Sequence, residues 1–130
     1  MAEVLTGWAP VFLRIAIGII FIVHGYPKLF KDSKGTSKFL KGLGFKPAKF
    51  WAFVLGCIEF FGGLAVLVGL FTRIASGLLG IVMVTALYYH TVVWKKKFYK
   101  GYEFDFLILF ALIALFLLGS GNLSLDMTII

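Results

Sequence analysis

The sequence predicts an all-α integral membrane protein, an antiparallel bundle of four transmembrane helices with both termini outside. Three observations predict it. Of the 130 residues, 61% are hydrophobic and only 15% charged, more apolar surface than a soluble domain of this size can hide. The mean hydropathy is +0.99. The apolar residues fall into four stretches, at about 8–30, 50–71, 74–94 and 104–119, and the lysines gather between them.

The first stretch carries Arg14, has no basic segment before it and shows no small-residue cleavage site, so it reads as a span and not as a cleavable signal peptide. The following loop holds six lysines (Lys31, Lys34, Lys38, Lys41, Lys46 and Lys49) against the single Asp32. Within it, Phe39, Leu40, Leu43 and Phe45 are spaced for a short amphipathic helix resting on the membrane interface. Pro47 suits the first turn of the second span. That span has the roughly twenty residues that cross a ~30 Å hydrocarbon core at ~1.5 Å per residue. The turn at Phe71-Thr72-Arg73 is short enough to allow only an antiparallel hairpin into the third span. Lys95-Lys96-Lys97-Phe98-Tyr99-Lys100 then leads to the fourth, which crosses only if its polar tail sits among the headgroups.

Both lysine-rich loops fall on one side of such an array. The other side holds only Glu3, Arg73 and Asp126. The positive-inside bias therefore places the lysine loops in the cytoplasm and the chain in the cell membrane as a multi-pass protein. Residues 1–130 form one membrane domain without internal repeats. The net charge of +7 is accounted for by topology and by contact with lipid headgroups. No nucleic-acid partner is expected, because the aromatics lie in the spans and are not interleaved with the basic residues. The single Cys57 rules out an internal disulfide and a C-x-x-C redox pair.

Within this frame Glu59 is the anomaly. A charge at bilayer depth costs at least ~2.5–3.5 kcal/mol and marks a protein interior with a task. Counting from Lys49, Glu59 stands about 15 Å up, near the midplane. Arg14, about 21 Å from the same surface on the first span, is within reach of a guanidinium stem, so an Arg14–Glu59 pair is expected. Ala52, Gly56, Gly63 and Val66 share the face of Glu59. Gly18, Phe21, Gly25 and Lys28 share that of Arg14, with His24 beside it. These two faces are expected to meet. Nearer the lysine side, His24, His90 and Asp105 form a second layer with Tyr88 and Tyr89. Histidine beside a carboxylate handles protons near neutral pH. The alternative is interfacial anchoring, with Asp105 capping the fourth helix. No metal-ligand spacing is present and no metal site is expected.

The segments Arg14…Gly18…His24-Gly25-Tyr26-Pro27-Lys28-Leu29, Gly56-Cys57-Ile58-Glu59-Phe60-Phe61-Gly62-Gly63-Leu64 and Gly69-Leu70-Phe71-Thr72-Arg73-Ile74-Ala75 resemble the DoxX/DoxD family. The close, Phe104-Asp105 and then Leu118-Gly119-Ser120-Gly121-Asn122-Leu123-Ser124-Leu125-Asp126, is similar to the ending of that family. The resemblance implies a small membrane subunit associated with quinone-linked oxidation, with Arg14, His24, Gly25, Lys28, Glu59, Gly62, Gly63, Thr72, Arg73 and Asp105 as the matching positions.

The function expected is a membrane subunit of an oxidoreductase complex that handles a quinone and its protons. In that reading Glu59, His24 and Asp105 are the catalytic candidates, and Arg14, His24, Lys28, Glu59 and His90 the cofactor-binding ones. Quinone is the one cofactor implied, since no flavin, nucleotide or paired-histidine haem signature is present. The partners expected are membrane lipid, a soluble or membrane oxidoreductase and, through the glycine-rich faces, a second copy of the chain. Two other classes stand beside it: a small proton-coupled transporter built on one midplane glutamate, and a non-catalytic anchor for a soluble oxidoreductase.

Overall fold

The structure, a computed structural model, describes residues 2–124 and Asp126; Leu125, part of the family-like close, lies outside them, as do the side chains of Glu3 and Lys100. The described residues form helices joined by turns and short irregular segments, without strands. Helix α1 (Ala2–Tyr26) continues through a π-helical turn, Pro27–Lys31. Helix α2 (Ser33–Gly42) is the short amphipathic helix expected in the first loop, with the Asp32 carboxylate accepting the Gly35 amide at its start. Helix α3 (Ala48–Val68) starts directly after Pro47. Helix α4 (Thr72–Tyr88) runs on into a second π-helical turn, Tyr89–Val93. A third, Phe98–Tyr102, leads into α5 (Glu103–Leu118).

Three helical segments, Val4–Lys31, Ala48–Val68 and Thr72–Val93, are long and apolar enough to cross a membrane. Helix α5 is equally apolar but has only 16 residues. All four long helices contribute to one core of Ile17 and Phe21, Val66, Ala75, Leu79 and Met83, and Ile108, Leu112 and Leu115. Outside that core large apolar side chains stand free: Phe12 is 71% exposed, Phe53 63%, Ile74 64% and Leu107 66%. An apolar surface this extensive is suited to lipid and not to water.

The closest approach is between α1 and α3, and glycines set it. A Cβ on Gly25 would stand 2.5 Å from the backbone nitrogen of Phe60, and one on Gly63 2.9 Å from that of Ile22. Gly18 faces Gly63 and Leu67, and Gly56 faces Lys28 and Leu29, so the two helices run in opposite directions. The buried face of α3 consists of Ala52, Gly56, Glu59, Gly63 and Val66, the face expected from the sequence.

The ends away from the lysine loops are stitched by polar groups. Helix α3 ends at Gly69 in the left-handed region, with the Leu70 amide returning to the Ala65 carbonyl at 2.8 Å. The Asp126 carboxylate accepts the Phe71 and Thr72 amides, at 2.6 and 3.0 Å, and so caps α4 from a distant part of the chain. Arg73 donates to the Phe116 and Leu117 carbonyls, which end α5. Its guanidinium thus satisfies the carbonyls of a neighbouring helix.

Candidate functional site

The expected pairing of Arg14 with Glu59 does not form. Arg14 is buried, 2% exposed, but its guanidinium donates to the Asn122 and Leu123 carbonyls at 2.9–3.2 Å. The tail that supplies those carbonyls is held by the Asn122 amide on the Gly7 carbonyl. Arg14 therefore belongs to the stitched end and is remote from the other candidates. Depth along the helices had placed it within reach of Glu59. The returning tail offers unpaired carbonyls at shorter range, and these take its donors.

Glu59 is bonded instead to Lys28, whose Nζ donates to Oε2. The pair follows from the glycine contacts. With no side chain at Gly25 or Gly56, the end of α1 lies flat on α3, and the π-helical turn at Pro27–Lys31 carries Lys28 across the carboxylate. A second pair stands on the other side of the bundle. His90, in the π-helical turn after α4, is bonded through Nδ1 to Oδ2 of Asp105, which is buried at the start of α5. The Asp105 carboxylate is thus tied to a side chain of the neighbouring helix and serves as more than a cap for its own.

Between the two pairs lies a cavity of about 560 Å³, within the ~300–1,000 Å³ usual for small-molecule sites. Lys28, Glu59 and His90 reach its wall from α1, α3 and α4. The remainder is largely apolar and aromatic, with Trp51, Ile58, Tyr89 and Trp94 prominent. Helix α2 covers it with Leu40, and the turn that follows with Leu43 and Phe45, a role in addition to the interfacial one the sequence suggests. The Trp94 ring lies 5.2 Å from that of His90 and 5.9 Å from that of Phe39 on α2, joining the cover to the wall.

The structure thus brings together Lys28, Glu59 and His90, with Asp105 behind His90. It leaves out Arg14 and His24. His24 is exposed, its ring 6.2 Å from that of Phe104, and it does not line the cavity. Sequence reading missed Trp51, Trp94 and the cover formed by α2. The pattern of Phe39, Leu40, Leu43 and Phe45 was visible but reads equally well as a helix lying on lipid. Among the described residues no three His, Cys, Asp or Glu side chains gather to hold a metal ion.

Chemically the wall offers an ammonium donor, a carboxylate and an imidazole in an apolar enclosure. With Asp105 ionised, Nδ1 of His90 carries its hydrogen and Nε2 is the atom left to exchange a proton. Arg14, Arg73 and Asp126, by contrast, are engaged with backbone groups.

Residues 9–92 match the family model described as DoxX. The chain is 41% identical over 114 residues to a protein of Bacillus subtilis (strain 168) named "Putative oxidoreductase CatD", covering 88% of this chain and 81% of that one. It is 36% identical over 76 residues to the uncharacterized membrane protein Rv3486 of Mycobacterium tuberculosis (strain ATCC 25618 / H37Rv), covering 58% of this chain and 46% of that one. No solved structure matches the chain. The matched residues contain Arg14, His24, Lys28, Glu59 and His90, and leave out Asp105.

Proposed function

The chain belongs to the DoxX family, and on that premise we propose that it is a membrane subunit of a quinone-linked oxidoreductase. The observation that carries this reading is the apolar cavity walled by Lys28, Glu59 and His90. A quinone needs an apolar slot, hydrogen-bond donors for its carbonyl oxygens and groups that exchange protons, and these residues fit each need. When bound, a quinone accepts electrons together with protons.

Lys28 serves as donor to a carbonyl oxygen and orients the ring. Glu59 holds the Lys28 ammonium in the cavity and, at the turn of the cycle, releases or takes up a proton. His90 exchanges a proton at Nε2, with Asp105 fixing the tautomer and stabilising the imidazolium. Helix α2 excludes water from the lysine side. The electrons come from another polypeptide.

In this reading α5 is the fourth span of an antiparallel bundle, the lysine loops are cytoplasmic and the termini are outside. The exposed lysines of α2 (Lys34, Lys38 and Lys41) and those at Lys95–Lys97 then flank the covered cavity on the face open to a soluble oxidoreductase. The Lys28 bond argues against proton-coupled transport of a cation through Glu59, since the carboxylate already has its counter-charge.

The test is purification with bound quinone together with quinone reduction by membranes carrying Glu59→Gln. Loss of reduction supports the reading; turnover equal to the unaltered protein overturns it.

A further inference from the structure

The cavity is closed on some sides and open on others. At its outer end α3 and α4 touch, Leu79 lying 3.3 Å from where a Cβ on Gly62 would stand. On the lysine side α2 covers it, with Leu40 buried. On the α1 side Lys28 and Glu59 close it. One edge differs. Ile81 and Thr85 of α4 line the cavity and are at the same time exposed, Ile81 to 64%. Side chains that both line a cavity and face outward mark its mouth. Ile81 is near the middle of the membrane-crossing segment Thr72–Val93, so this second opening lies at hydrocarbon depth.

We propose that the cavity takes a lipid-borne ligand sideways from the bilayer between α3 and α4, and that the ligand's apolar tail stays in the mouth at Ile81 and Thr85. The proposal rests on the quinone reading and adds a route and a specificity element to it. A water-borne polar molecule would have to shed its hydration to reach an opening at this depth. A molecule already dissolved in the hydrocarbon pays no such cost. The volume of about 560 Å³ holds a substituted ring and the first part of a tail. A long polyprenyl chain cannot be housed whole and must leave through an apolar exit, which Ile81 provides. Lys28, Glu59 and His90 line the same cavity, so a ring drawn in from lipid meets them with its tail trailing.

Trp51 and Trp94 line the cavity, so quenching of their fluorescence reports its occupation by a quinone. The purified full chain is titrated with a tailless dimethoxy-methyl-benzoquinone and with the same ring carrying a decyl tail. The unaltered protein is expected to favour the tailed probe. Ile81→Phe, which narrows the mouth without adding a tryptophan, is expected to cut that preference by roughly tenfold or more. Thr85→Phe, at the same rim, is expected to act alike. Comparing the ratio of the two affinities between proteins cancels the partitioning of the tailed probe into detergent. An unchanged ratio in both variants, with both probes bound, overturns the lateral route and leaves the quinone reading standing. Binding of neither probe by the unaltered protein overturns the quinone reading and the route with it.

Discussion

Lys28 is bonded to Glu59 across the interface of α1 and α3, 31 positions apart in the chain. The two ends of this bond are unequally placed: the Lys28 side chain is 26% exposed and that of Glu59 only 8%. The ammonium keeps access to the cavity, while the carboxylate depends on the ammonium for its charge to be tolerated. The bond therefore serves packing and site chemistry together, and each can be tested separately.

Lys28→Ala leaves a buried carboxylate without its counter-charge. Breaking a buried pair from one side costs about 3–5 kcal/mol, and the partial exposure of Lys28 puts this case toward the lower end. Lys28→Ala combined with Glu59→Gln is expected to recover most of that loss. Reversible unfolding in mixed micelles checks it; a double variant no more stable than Lys28→Ala would show that charge is not the cause.

The glycine contacts that bring Lys28 over Glu59 make the second prediction. Gly25→Ala forces a methyl to within 2.5 Å of the Phe60 backbone and is expected to cost about 1–3 kcal/mol while separating Lys28 from Glu59. Gly80→Ala, in α4 with nothing within 4 Å, is expected to gain about 0.5–1 kcal/mol from helix propensity. Equal effects at the two sites would remove close packing as the reason for Gly25.

These contacts explain what sequence alone could show. The face of α3 was legible residue by residue because a helix repeats every ~3.6 residues and Glu59 marked its buried side. Lys28, Glu59, His90 and Asp105 were legible as candidates because ionisable groups stand out in apolar spans. Their pairing was not. Arg14 finds its partners in Asn122 and Leu123, more than a hundred positions away, and no local period encodes a returning tail. His24 lies next to the buried stripe of α1, yet one step around the helix turns it outward. The use of α2 as a cover was hidden because one amphipathic pattern serves a lipid surface and a cavity equally.

The bond between His90 and Asp105 predicts a division between binding and turnover. Asp105→Asn removes the charge that favours imidazolium but keeps a similar shape, so quinone affinity is expected to change within a few-fold. Quinone reduction by membranes carrying the variant is expected to fall by about 10²-fold, the lower range for a lost acid–base group. His90→Gln is expected to show the same pattern. A parallel loss of affinity and rate would make the pair a structural support of the cavity and not a proton path.

Asp126 predicts an acid sensitivity located at the opposite end of the molecule. Burial pushes its carboxyl up, but hydrogen bonding from Thr72 and Phe71 and the charge of Arg14 outweigh this and hold it below the usual carboxylate range. A folded-state pKa below the unfolded value means the ionised form is the one that stabilises. The contribution is complete above the unfolded value of about 3.9 and is lost as pH falls below it through the folded one. The unaltered protein is thus expected to lose stability below about pH 4 as the cap on α4 is protonated. Asp126→Asn keeps an acceptor but loses the charge, and is expected to be less stable at pH 7 by about 0.3–1 kcal/mol, the usual worth of a negative charge at a helix N-terminus, and to flatten this acid limb. Because the cap lies far from the cavity, quinone binding at pH 7 is expected to be the same in both proteins. Unfolding measured from pH 7 to pH 3 checks the slope, and parallel curves for the two proteins would assign the acid loss to another carboxylate.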